Sequence, residues 1–506
     1  MTEDQKSPQT LAIEFIDAAA GVLETITDLE SYSELMAMVT VNYAEAGLLD
    51  AALESAERIG DPYSRDKAYG NLAARAVDCG ETEFADDVVG KITDDSLYAL
   101  ALEQLAIGHA KAGAFDQALE VAGELADGAA TLSSIAVLYA EKGDFDNALD
   151  VANSVEYPDL KCATLTQMAQ RAISEERSSE ASEFLALALD SADGIETLKE
   201  RADALIGISN FYRELGENDR SFEILLRVSR LCDGVQELMP DGFASIEALD
   251  QTLSHVVQGF ASLHHFDEAD GVIESIEDPF QFAVALTSIA NERLHADQPD
   301  EASALLVQAV ELINEEKAAD DRGLAMKDAA LAHVLVGFAG IGDFDAALRI
   351  SSKIQLADQK QVALQEAANL SVNAGDIDWP FTAGKRLDLP LNRARFLLTL
   401  ADALSEKGHA EGAGEALVQA RSVASGIENL LERARVLAQV AVRYAGRSDE
   451  GLTRKLLLES LELVREMNDS FSKAGALILL ARLYGKAGVS VGDTERSILE
   501  EMTPVE

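Results

Sequence analysis

The chain has 506 residues, more than one compact core usually spans, which leaves either several domains or a repeat array that grows lengthwise. Hydrophobic residues make up 48% but aromatics only 6%, so the apolar content is mainly alanine and leucine; that favours close-packed helices over sheets and, with only 9 prolines, excludes extensive disorder. A net charge of −49, from 41 basic and 90 acidic residues, disfavours nucleic acid and anionic membranes as partners.

The first element follows Ser7 and Pro8, a serine at a cap and a proline in a first turn, with Leu11, Phe15, Ala18 and Leu23 on one face. Pro8 to Ile26 is expected to form an N-terminal capping helix. The clearest repeated unit runs from Thr131 to Ala152. There Leu132, Ile135, Ala136 and Tyr139 share one helical stripe, Gly143 supplies a left-handed stop, Asp144 is placed to cap a second helix, and Ala148, Leu149 and Ala152 begin its stripe. Two antiparallel helices joined by a tight turn result. The same turn recurs at Gly47, Gly80, Gly113, Gly216, Gly342, Gly375, Gly408 and Gly488, and units lacking the glycine fit at Glu176, His264 and Asp297, with one more near Gly446. This gives about thirteen hairpins at a spacing close to 34 residues. Pro62, Pro158 and Pro279 arrive early after Ala52, Ala148 and Ala269, so the second helices there are expected to be short. Longer second helices are expected in the stretched repeats Glu180 to Gly216, Asp300 to Gly342 and Glu411 to Gly446. Asp493 to Met502 closes the chain as a more polar helix.

The order Leu132, Ile135, Ala136, Tyr139, Gly143, Asp144, Phe145, Ala148 and Pro158 resembles the tetratricopeptide repeat, and the match extends along nearly the whole chain. It departs from that pattern in lacking the usual first-position tryptophan and in its early proline. The resemblance implies an all-α fold, an α-solenoid of antiparallel hairpins winding into a right-handed superhelix, whose concave inner face usually binds other proteins. Each hairpin has two apolar faces and cannot bury both alone, so neighbours must stack. Ala106, Ala136 and Ala368 are the small residues expected where first helices touch. The segments are a capping helix (1–30), an N-terminal array (31–230), a central array of longer, degenerate repeats (231–380) and a near-neutral C-terminal array with its cap (381–506). The irregular stretch from Leu231 to Leu249 is read as a hinge or a place of altered packing.

No phosphate-binding, dinucleotide, zinc-protease or serine-nucleophile signature occurs, so neither a catalytic set, a cofactor nor a metal is expected. Cys79, Cys162 and Cys232 are widely separated and read as reduced thiols; with no run of about 18 apolar residues, the expectation is a cytoplasmic protein away from membranes. The acidity, with lysine scarcer than arginine, resembles the cytoplasmic proteins of haloarchaea. His264 and His265 are adjacent, but their side chains diverge in a turn, so a metal pair is not expected. Tetratricopeptide domains that clamp acidic chaperone tails use lysine, asparagine and arginine where Glu103, Ile107, Ser133 and Val137 stand here, so that specialised role is not implied. A groove near Asn369, Asn373 and Arg395 has side chains suited to hydrogen-bonding an extended peptide.

Charge is uneven along the chain: residues 1–160 hold 8 basic and 32 acidic residues, whereas 381–506 hold 17 and 18. Arg386, Arg393, Arg395, Arg433 and Arg443 lie in that near-neutral part, which points to an acidic partner or a self-association face. Internal salt bridging is the competing explanation, since Arg433 and Arg435 closely follow Glu428 and Glu432. The function expected is a non-catalytic scaffold holding a partner protein or peptide on its concave face, with no nucleic acid and with self-association through the C-terminal part. The alternative is a ligand- or peptide-sensing regulatory subunit of a signalling or transcription system.

Overall fold

A computed structural model describes residues 12–233, 245–318 and 320–503. Among these residues the regular structure is all helix. The central part of the stretch read as a hinge, 234–244, and the Ser7-Pro8 helix start lie outside the described residues. The chain divides into two compact units, Met1–Gly128 with Leu389–Glu506, and Ala129–Asp388.

In the first unit the helices are α1 (Ile13–Leu23), α2 (Leu29–Glu45), α3 (Leu49–Glu57), α4 (Pro62–Asp78), α5 (Thr82–Val89), α6 (Asp95–Lys111), α7 (Phe115–Ala122), α22 (Pro390–Glu406), α23 (Ala410–Ala424), α24 (Leu430–Gly446), α25 (Glu450–Glu466), α26 (Ser470–Ala487) and α27 (Asp493–Met502). The second unit holds α8 (Ala129–Glu141), α9 (Phe145–Asn153), α10 (Pro158–Ser174), α11 (Ser178–Ala192), α12 (Leu198–Glu214), α13 (Asn218–Asp233), α14 (Ile246–Ser262), α15 (Phe266–Ile273), α16 (Pro279–His295), α17 (Pro299–Glu315), α18 (Asp321–Gly340), α19 (Phe344–Ser351), α20 (Ala357–Asn373) and α21 (Trp379–Gly384). From α2 to α24 each even-numbered helix, called an A helix below along with α26, pairs with the B helix that follows it, and it also packs on the next A helix in the chain where both lie in one unit. This is the tetratricopeptide-like hairpin stack that the repeat pattern implied.

Local chemistry sets both ends of the A helices. Asp28, Asp61, Asp94, Asp278 and Asp469 lie in extended backbone at N-caps, each accepting from an amide in the first turn, so part of the acidic excess goes to satisfying orphan donors. At the other end the chain reverses through a left-handed residue. Gly143, at φ 79°, and the other eight glycines named from the sequence all have positive φ, as do Glu176, His264 and Asp297. In the repeat placed near Gly446, Ser448 takes the same conformation at φ 60°.

B-helix length follows proline spacing as expected. The B helix before Pro62, α3, has 9 residues and the one before Pro158, α9, also has 9, whereas α11, α17 and α23 in the stretched repeats have 15, 17 and 15. Ala106, Ala136 and Ala368 are fully buried, and beside Ala136 the hydroxyls of Ser133 and Thr164 meet at 2.6 Å between α8 and α10. One helix, α18, is long and apolar enough by composition to cross a membrane; it packs as an A helix on α16, α17, α19 and α20.

A second device ties repeats together and was not evident in the sequence. Asp66, buried on α4, accepts from the Thr93 amide (2.8 Å), the Thr93 hydroxyl (2.8 Å) and the Asp94 amide (2.9 Å) in the linker to the next A helix. Asp250 on α14 does the same for Glu277 and Asp278, and Asp328 on α18 for Gln355 and Leu356. Each buried carboxylate thereby satisfies linker amides that no helix supplies with acceptors.

Within the first unit the first described helix meets the last ones. Helix α1 packs most extensively on α26, then on α2 and α27, and so takes the B-helix place beside the last A helix. Phe15 and Tyr484, both fully buried, stack with ring centroids 4.6 Å apart, and the Ala12 amide donates to the Ala481 carbonyl at 3.3 Å. Around them Tyr43 donates to Asp17 (2.6 Å), the Thr25 and Ser470 hydroxyls meet (2.9 Å), and Arg482 donates to Asn42 (2.9 Å) and Glu45 (2.8 Å). The helix read as an N-terminal cap completes the last hairpin, and α27 covers α1 and α25.

Candidate binding face

An A helix carries one stripe toward its B helix, one toward each neighbouring A helix, and one that no helix covers. On α12 the uncovered stripe runs Lys199, Asp203, Gly207, Asn210 and Arg213, three or four places apart, and on α14 it runs Gln251, His255, Gln258 and Ser262. Between these two stripes lies a polar groove of about 680 Å3. Lys199 pairs with Asp203 at 2.5 Å, and Ser262 donates to Glu292 at 3.1 Å. His255 stays accessible to solvent, yet the walls crowd its ring; that burial holds its pKa below the usual histidine value, against the attraction of Asp203 and with the repulsion of Lys199.

Two further cavities have walls of the same origin. One of about 540 Å3 lies along α16, α18 and α20, with Ala332, Val336 and Val362 beside His333 and Glu366. Burial lowers the His333 pKa, partly offset by Glu366. The other, about 620 Å3, lies in the first unit where α2 and α4 meet α24 and α26, with Met38, Tyr63, Ile478 and Leu479 as apolar lining and Lys67, Arg435 and Arg482 as cations. No B helix contributes a lining residue to any of the three. Exposed large apolar side chains follow the same rule: Met38, Tyr63, Tyr98, Leu100 and Val362 stand on A helices, and among the described residues of B helices only Val307 and Val418 are comparable.

The residues singled out for partner binding fall in different settings. Asn369 and Asn373 are exposed near the C-terminal end of α20, with Gln365 donating to Asn369 at 3.5 Å, and Arg386 is exposed just after α21. In the first unit Arg395 pairs with Glu432 at 3.2 Å, and Arg443 grips Asp402 through two bonds of 2.8 and 2.6 Å, both links joining α22 to α24. Arg393 and Arg433 make no ion pair among the described residues, though each has a buried Nε without an acceptor. His264 occupies a left-handed turn and His265 stacks on Phe222 at 4.2 Å. Sequence reasoning passed over His255, Asn210 and Arg213. Their signal was present as polar residues at helical spacing, but it needs two helices separated by a whole repeat to become a groove.

No protein-family model and no curated protein matches the chain. Among solved structures, aspartyl phosphate phosphatase F from Bacillus subtilis is 14% identical over 71% of this chain and 92% of its own, with a TM-score of 0.28. The human IFIT1 dimer with PPP-AAAA is 15% identical over 83% and 99%, also at 0.28. A signal transduction ATPase with a tetratricopeptide repeat sensor, from Pyrococcus horikoshii, is 14% identical over 82% and 68%, again at 0.28. At such values the likeness lends no support to any ligand or partner of this chain.

Proposed function

We propose that the chain is a non-catalytic scaffold that holds a partner protein or peptide on the uncovered stripes of its A helices. One observation carries this reading: three cavities of about 540–680 Å3, found in both units, are each walled by A helices alone. A hairpin stack needs its B faces and flanks for packing, so a face that stays grooved and partly apolar has been left for contact with something else. The working environment that goes with this reading is a salt-rich cytoplasm, where the acidic surface stays soluble.

Capture of partners from a cell extract in molar potassium chloride tests it. Val362→Glu and Met38→Glu are expected to abolish recovery of the partners that the unaltered chain retains, while Val418→Glu on a B helix leaves recovery intact. Loss with the B-helix variant and retention with both A-helix variants would place the working face elsewhere. A sensing role for the same array is favoured by the polar groove between α12 and α14, whose lining suits a small ligand better than a protein surface.

A further inference from the structure

We infer that the groove between α12 and α14 is a binding site for a small organic anion rich in hydrogen-bonding groups, a hydroxylated carboxylate or a phosphorylated sugar. At about 680 Å3 it has the size of small-molecule sites, roughly 300–1,000 Å3. Its lining is mostly polar, unlike the groove around Val362.

Gly207 is the first pointer. It sits in mid-helix without positive φ, and a Cβ built on it would meet nothing within 4 Å. Neither a turn nor a tight helix contact requires a glycine there, and glycine weakens a helix relative to alanine. What its missing side chain does is leave space in the wall of the groove.

Hydrogen bonding is the second. Asn210, Arg213, Gln251 and Gln258 have no side-chain hydrogen bond to any described residue, although all four face the groove. Three are amides, each a donor and an acceptor at once, so they suit a ligand that offers both, as hydroxyl groups do. Neutral His255 adds one donor and one acceptor in the middle of the groove.

Charge decides the rest. Lys199 is already held by Asp203, whereas Arg213 makes no ion pair among the described residues of a chain with net charge −49. Lys199 and Arg213 stand roughly 21 Å apart along the helix at 1.5 Å per residue, so a ligand of sugar size reaches only one of them. The free guanidinium, with Asn210 one turn before it and Gln258 opposite, is the place for the anionic group, and the sugar-like body extends toward Gly207 and His255.

Isothermal titration of the full chain in potassium chloride, with D-gluconate, D-glucose 6-phosphate and inorganic phosphate added separately, tests the site. Saturable binding of gluconate or glucose 6-phosphate at one per chain is expected, and which of the two binds assigns the anion to carboxylate or phosphate. Gly207→Leu, whose Cβ has room at that position, and Arg213→Gln are each expected to weaken it about tenfold or more. The melting temperature of Gly207→Leu should not fall, which separates a blocked site from a broken fold. Binding of neither organic anion, binding of inorganic phosphate alone, or binding indifferent to Gly207→Leu would each overturn the inference. None of these results bears on partner capture through Val362 and Met38.

Discussion

Each hairpin needs one residue in the left-handed region, and four side chains do there at a cost what glycine does without one. Glu176, His264, Asp297 and Ser448 sit at φ 60–61°, where a Cβ crowds the following carbonyl. Glu176→Gly and Ser448→Gly are therefore expected to stabilise the chain by about 1 kcal/mol each, read as a higher denaturant midpoint at unchanged slope. Such turns were legible in the sequence, because the conformation depends only on the few residues that surround it. The buried aspartates were not, because Asp66 accepts from amides 27 and 28 residues further on. Their chemistry also differs from repeat to repeat. For Asp66, burial favours the protonated form but is outweighed by the Thr93 and Asp94 donors, so its pKa lies below the ordinary 3.8. Its contribution is complete above 3.8 and is lost as pH falls through the lower folded value. For Asp250, burial outweighs the two amide donors, helped by the nearby Asp278 and Glu277 carboxylates, and its pKa is raised. Its contribution has the opposite sign: present below 3.8, lost as pH climbs through the raised value. Asp66→Asn is expected to cost about 1–3 kcal/mol at pH 7 and to flatten the acid limb of the stability profile, with Asp250→Asn costing less. Equal losses from urea midpoints at pH 7 would show that the two sites are alike.

At the scale of elements the amphipathic pattern told which faces are buried but not always against what. Proline and glycine spacing gave the short α3 and α9 and the long α11, α17 and α23, since a helix's length is written between its own stops. The partner of α1 was illegible for the opposite reason: its apolar stripe required cover, yet that cover is α26, and Thr25 and Ser470, which meet beside it, are 445 residues apart in sequence. A helix at a chain end reads as a cap when only its neighbours in sequence are considered. Phe15→Ala removes a fully buried ring from this junction and is expected to cost about 3–5 kcal/mol. Hydrogen exchange distinguishes the two roles: protection of α26 amides should fall in this variant as much as protection of α2, whereas a simple N-terminal cap would leave α26 unchanged. Between A helices the demand is for small residues, and Ala136, with no exposed surface beside the Ser133–Thr164 contact, shows it. Ala136→Leu is expected to overpack that junction and cost about 1–3 kcal/mol in a thermal melt.

For the whole molecule the governing quantity is charge. The near-neutral stretch 381–506 pointed either to an acidic partner or to internal salt bridging, and Arg395 and Arg443 do pair with Glu432 and Asp402, links that hold α22 to α24. A count of arginines along a sequence cannot tell a paired guanidinium from a free one, which is why the charge pattern left both readings open. Added salt then acts on two opposed terms. It weakens exposed ion pairs, each worth about 1 kcal/mol or less, and it screens repulsion among carboxylates that outnumber their counter-charges by 49. The pairs act over a few ångströms and are screened late, whereas the excess acts between charges spaced further apart, beyond the Debye length of about 3 Å at 1 M but within the 10 Å at 0.1 M. Relief of repulsion therefore wins over this range, and the melting temperature is expected to rise from 0.1 to 1 M potassium chloride. Arg443→Gln should be more costly at the lower salt, where it removes a pairing charge from an unscreened acidic surface. A melting temperature that falls with salt would mean that the ion pairs, not the unpaired carboxylates, dominate the electrostatics of the fold.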